Sequence, residues 1–114
     1  MEIIAQEIYN ELGPGHRECV YHRAFEMELR NRGTPYECEV VIPIFYKGQF
    51  LSHMRLDLVV DKNIIVELKA IKNIKDEEVQ QLKRYLKATQ FDEGYLINFG
   101  PEEVQIKRVT FSDS

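Results

Sequence analysis

The hydrophobic and polar positions change period twice along this chain. Ile4, Ile8 and Leu12 recur every four residues, which predicts a helix over residues 3–12. Gly13-Pro14-Gly15 stops it. A second helix is expected from about Pro14 to Arg32, with Tyr21, Phe25 and Leu29 as its apolar stripe and Gly33-Thr34-Pro35 at its end. The period then becomes two. Residues 37–46 read as a strand, and Pro43 within it marks an edge strand or a bulge. Lys47-Gly48-Gln49 is a hairpin turn. Residues 50–60 and 64–69 are two further strands joined by Asp61-Lys62-Asn63. A helix follows over 75–89, with Val79, Leu82 and Leu86 inward. Strands close the chain at 94–99 and 103–111. The order α-α-β-β-β-α-β-β predicts an α/β sandwich around a mixed sheet.

The middle hairpin concentrates the chemistry. Leu56, Leu58 and Val60 read as the core face of one strand, and Ile64, Val66 and Leu68 as that of the next. A three-residue loop makes opposed residues sum to 124. Val60 then faces Ile64, Asp57 faces Glu67 and Arg55 faces Lys69. A two-residue loop would bury the acids among the leucines, so the hydrophobic pattern selects the odd loop. Two carboxylates directly across a strand pair have Cβ atoms roughly 5 Å apart and repel. A divalent cation removes that conflict, and two carboxylates with a backbone carbonyl suit Mg²⁺ or Mn²⁺. Lys69 is on the same face, placed to hold a water against a phosphate and to stabilise developing charge. The plain alternative is a solvent-facing strand whose acids pair with Arg55 and Lys69.

Glu18 adds weight. On a helical wheel it lies within about 20° of Phe25 and Leu29, so it heads the apolar stripe and points at the sheet edge. Its alternative role is a first-turn acid meeting the helix dipole. Gln81 and Tyr85 share one face of the next helix, which also suits a core-boundary pair.

Composition narrows the function classes. A chain of 114 residues has room for one domain, residues 1–114. The 19 acids and 15 bases give −4, which disfavours a non-specific nucleic-acid coat protein but not a metal enzyme whose site consumes carboxylates. The charge is uneven: residues 1–45 carry eight acids and four arginines, while residues 69–87 carry six bases and three acids. No apolar run is long enough to span a membrane. The acidic start at Glu2 does not read as a signal peptide. Cys19 and Cys38 form no CxxC and read as reduced thiols, so a cytoplasmic or otherwise intracellular location is expected. His16, His22 and His53 have no metal-ligand spacing, and no P-loop, GxSxG or zinc signature is present.

The motifs in order resemble a known family. Leu12-Gly13-Pro14 precedes Gly15-His16-Arg17-Glu18-Cys19-Val20-Tyr21, which fits GxxExxY. Tyr46-Lys47-Gly48, Arg55-x-Asp57-Leu58-Val59-Val60, Val66-Glu67-Leu68-Lys69-Ala70, Gln81-Leu82-x-x-Tyr85-Leu86-Lys87 and Leu96-Ile97-Asn98-Phe99-Gly100 follow. The chain is similar to the GxxExxY family, a small branch of the PD-(D/E)XK nuclease-like superfamily, from about residue 3 to 111. The resemblance implies a restriction-endonuclease-like αβββαβ core. It implies that Asp57 and Glu67 bind Mg²⁺ or Mn²⁺ with the Leu68 carbonyl, and that Lys69 is the catalytic lysine. Glu18 would be an additional metal or water ligand, and Gln81 a supporting polar residue.

The sequence departs from the family pattern in places. Tyr9 and Glu78 stand where many members have His, and Glu39 where Gln is frequent. The leading expectation is a metal-dependent nuclease acting on DNA or RNA, as a homodimer or a complex subunit. The rivals are a non-catalytic nuclease-fold module that binds nucleic acid or protein, and a toxin-like or repair accessory protein.

Overall fold

The computed structural model describes all 114 residues. Helices α1 (Glu2–Leu12) and α2 (Glu18–Asn31) precede strands β1 (Tyr36–Tyr46), β2 (Gln49–Val60) and β3 (Ile64–Lys69). Helix α3 (Asp76–Thr89) leads to β4 (Glu93–Phe99), β5 (Val104–Thr110) and a 3₁₀ turn at Phe111–Asp113. The five strands form one sheet in sequence order. Only β3 and β4 run parallel; the other neighbours are antiparallel. The crossover between them is α3, as a parallel pair requires.

Two apolar layers sandwich the sheet. Ile4, Ala5 and Ile8 of α1 and Tyr21, Phe25 and Leu29 of α2 pack on Leu58, Val60, Val66, Leu68, Ile97 and Phe99. On the opposite side Leu82 and Leu86 of α3 pack on Leu56, Val59, Ile65, Leu96 and Val109. A Cβ added at Gly94 would lie 2.7 Å from a Leu82 methyl, so glycine there lets α3 approach β4 closely.

The three-residue loop is present. Val60 pairs with Ile64 and Leu58 with Val66, and Asp61 and Lys62 take positive φ of 53° and 63°. The ladder stops at that point, so Arg55 is not paired with Lys69. It pairs with Val41, and Lys69 pairs with Asn98. Leu56 departs from the expected common face with Leu58 and Val60, because it packs on the α3 side. The cause is local. Glu39 adopts a left-handed φ of 51°, and both Glu39 and Asp57 drop out of the β1–β2 ladder between the pairs Cys38–Leu58 and Val40–Leu56. The alternation changes sides there in both strands: Tyr36 packs under α1 and α2, whereas Val40 and Ile42 pack toward α3.

Pro43 lies on an edge strand, with a register shift beyond it at Ile44/Phe45. Helix α2 starts at Glu18, four residues later than Pro14. Gly13 and Gly15 have φ of 69° and 93°, and Arg17 is extended, so the backbone enters the helix only after the turn. No helix is long and apolar enough to cross a membrane.

Candidate active site

Where the β2–β3 ladder ends, two side chains continue the pairing. The Asp57 amide donates to Glu67 Oε2 at 2.9 Å, and the Leu68 amide donates to Asp57 Oδ2 at 2.9 Å. Each carboxylate thus satisfies a backbone donor that a regular ladder would have paired. One oxygen of each is left without a backbone partner. The Glu67 side of the pair is 5% exposed, while Asp57 is half-buried.

Electrostatics follow from that burial. Desolvation, then the nearby Asp57 charge, pushes the Glu67 carboxyl up to about 9. The Asp57 amide and Lys69 work against the rise. In the metal-free protein the buried pair therefore favours keeping a proton. Lys69, half-buried at the end of β3, also acts on Glu18.

Glu18 is the first residue of α2. The stripe it heads is fully buried, but Glu18 itself stays exposed. Its carboxyl is raised by partial burial first and by Asp57 second, with Lys69 and His22 opposing. It feels the paired acids without closing on them: no three His, Cys, Asp or Glu side chains converge as a metal cage. The oxygens brought together there are those of two carboxylates, a hard-oxygen set that fits a cation keeping several waters. From α3, the Tyr85 hydroxyl is raised by burial, then by Glu67 and Asp57, with Arg84 and Gln81 opposing. Tyr85 thus lies close enough to feel both acids. Gln81 and Tyr85 are half-buried on that helix.

The GxxExxY tyrosine has a structural task. The Tyr21 hydroxyl donates to the Gly13 carbonyl at 2.7 Å and accepts from the His16 amide at 3.2 Å. Its ring stacks on Phe99 at 4.3 Å between centroids. This latch fixes the turn that starts α2, and so fixes Glu18. The two departures from the family pattern are structural here too. Tyr9 donates to the Gly100 carbonyl at 2.6 Å, and Glu78 accepts from the Lys75 amide at 2.9 Å to cap α3. Sequence reasoning missed Asn98. This fully buried residue donates to and accepts from Ile71, and so holds the segment that leaves Lys69. An isolated polar residue in an apolar run, Leu96-Ile97-Asn98-Phe99, was the available signal.

A family model of the PD-(D/E)XK nuclease superfamily matches residues 1–109. The chain belongs to the PD-(D/E)XK nuclease superfamily. The mixed α/β fold is that of a restriction-endonuclease-like core, and superfamily nucleases generally use divalent metals. The crystal structure of SSO0001 shares the fold, with a TM-score of 0.63 at 22% identity. The match covers 80% of this chain and 48% of that one, so the chain spans about half the length of that relative. A search among curated proteins finds no match.

Proposed function

We propose that this superfamily member is a metal-dependent nuclease that hydrolyses phosphodiester bonds in nucleic acid, with water as nucleophile. The observation that carries the reading is the crossed Asp57–Glu67 pair, buried and short of positive charge, with Lys69 beside it. A pair that holds a proton for want of a cation is suited to exchange that proton for one.

Asp57, Glu67 and the Leu68 carbonyl would hold Mg²⁺ or Mn²⁺. The ion would supply Lewis-acid polarisation of a phosphate oxygen and lower the pKa of a bound water. Lys69 orients the water and stabilises negative charge developing on the phosphate. Glu18, at the solvent mouth, takes a proton from that water or positions it as an added ligand. Gln81 and Tyr85 of α3 wall the acids from bulk solvent.

The test is cleavage of labelled DNA and RNA by purified protein. Activity should need Mg²⁺ or Mn²⁺, stop with chelator, and fall by orders of magnitude in Asp57→Ala and Glu67→Ala. Equal activity of parent and both variants would identify a contaminating nuclease.

One observation favours a second reading. Both acids already accept backbone amides, so they also serve as a staple between β2 and β3. In a non-catalytic binding module that role alone would account for them, and the fold would then be indifferent to metal.

A further inference from the structure

Beyond the paired acids, β1 and β2 continue as a two-stranded arm, residues 40–56. Its tip is tight: Lys47 and Gly48 both have positive φ, and Tyr46 pairs with Gln49. No third strand lies beside it, because β3 pairs with β2 only from Leu58 to Val60. One face of the arm carries Val40, Ile42 and Met54, which are partly buried. The other face is open. It pairs Val41 with Arg55, Pro43 with His53 and Phe45 with Phe50. Phe45 and Phe50 are 60% and 64% exposed and meet edge to face at 6.3 Å. An apolar lane thus runs along β1 and a polar lane with Arg55 and His53 along β2, ending at the aromatic pair.

The charge of this segment is as distinctive as its apolarity. Residues 40–56 hold Lys47 and Arg55 and no acid, while the rest of the chain holds nineteen acids and thirteen Lys or Arg. A concavity elsewhere, about 530 Å³ between α1 and α2, is rimmed by Glu7, Glu11 and Glu28. It repels an anion. The arm begins at Leu56, next to Asp57, so anything that lies along it from the root starts at the paired acids.

We infer that the open face of the arm is a track for single-stranded nucleic acid that leads to the Asp57–Glu67 site. The inference rests on the nuclease reading for what happens at the root, but the track itself is a binding claim. Exposed ring faces recognise unpaired bases, because each base has a π-face that stacking within a duplex conceals. Arg55 and His53 then lie where the backbone phosphates of a stacked strand pass. Two cations, Lys47 and Arg55, are too few to grip a duplex by charge alone. A second copy packed arm on arm would bring the same cations together, whereas a nucleic-acid strand offers bases to the rings and phosphates to Arg55.

The experiment is fluorescence anisotropy with a short labelled oligothymidine and with a duplex, in chelator so that nothing is cleaved. Sedimentation of the same samples gives the oligomeric state. The single strand should bind more tightly than the duplex. Phe45→Ala and Phe50→Ala should each weaken it about tenfold, the scale of one lost base–aromatic stack. Arg55→Ala should reduce the slope of log affinity against log salt by about 0.7, one phosphate's worth for a single strand. Melting curves confirm that these exposed positions leave the fold intact.

The track is overturned if the parent binds no single strand, or prefers the duplex. It is equally overturned if it binds and the three variants match it. A parent dimer that the Phe45→Ala/Phe50→Ala double variant converts to monomer, with oligothymidine affinity unchanged, would make the arm a protein interface and also overturn it. Arm-dependent binding without metal-dependent cleavage would keep the track and sink the nuclease reading. Cleavage with arm-independent binding would do the reverse.

Discussion

Asp57 and Glu67 hold each other through the backbone: the amide of Asp57 donates to Glu67, and the carboxylate of Asp57 accepts from the residue after Glu67. The acids are therefore fixed before any ligand arrives. Their mutual charge is relieved in the metal-free protein by the proton on Glu67. This predicts how the protein responds to pH, metal and substitution.

The Glu67 carboxyl is raised from its ordinary value of 4.5 to about 9. Between those values the folded chain holds a proton that the unfolded chain has released. That contribution to stability is complete below pH 4.5 and is lost as pH rises toward 9. A single proton gives a slope of at most about 1.4 kcal/mol per pH unit. Glu67→Gln cannot ionise, so it should remove this slope and be more stable than the parent at pH 8 without metal. Urea midpoints across pH would show it. Parallel curves for parent and variant would mean that Glu67 does not carry the effect.

Metal should stabilise the parent and release a proton. At about 100 times the dissociation constant the gain is about 2.7 kcal/mol. Asp57→Asn keeps an oxygen for the Leu68 amide, so its apo stability should match the parent at pH 7, and it should lose the gain from metal. Thermal melts with chelator and with excess Mg²⁺ or Mn²⁺ decide this. If the parent ignores metal and Asp57→Asn is destabilised, the acids are a staple and the binding-module reading leads.

Lys69→Met should bind metal nearly as well as the parent and turn over nothing. The lysine is assigned to water and phosphate, and its aliphatic stem is kept by methionine. Lost metal binding together with measurable cleavage would refute that role. Calorimetry and a cleavage time course separate the two.

Tyr21→Phe deletes the hydroxyl that joins Gly13 to His16 and leaves the ring on Phe99. The expected cost is about 0.5–1.5 kcal/mol, because Gly13 is half-buried and His16 exposed, so water takes up part of the lost bonding. Phe25→Leu, as a packing control, should destabilise without loosening the turn. Hydrogen exchange at the His16 amide should accelerate in Tyr21→Phe alone.

Much of this was legible in the sequence. Val60 and Ile64 set the register because a one-residue slip would expose one set of side chains and bury the acids. Part of what was lost comes from backbone conformations that hydrophobic periodicity does not announce. Glu39 is a left-handed non-glycine, so alternation through Leu56 and Leu58 predicted one face where the strand uses two. Helix α2 began late because the glycines of the preceding turn take positive φ. At the site, the meeting of Asp57 and Glu67 followed from register, whereas the Arg55–Lys69 pairing expected from the same register fails because the ladder ends at Leu58–Val66. The half-open position of Glu18, and the reach of Tyr85, depend on how two helices dock on opposite sides, which periodicity does not encode.

The single parallel pair, β3 with β4, also orders events in time. Asp57 and Glu67 are ten residues apart and meet through a three-residue loop, so their pairing closes on the microsecond scale of about 1–10 μs for a hairpin. Lys69 reaches Asn98 only after α3 has formed and crossed over, and a contact of that sequence separation forms slowly. The paired acids are thus a local contact, whereas the wall that α3 builds over them is a non-local one.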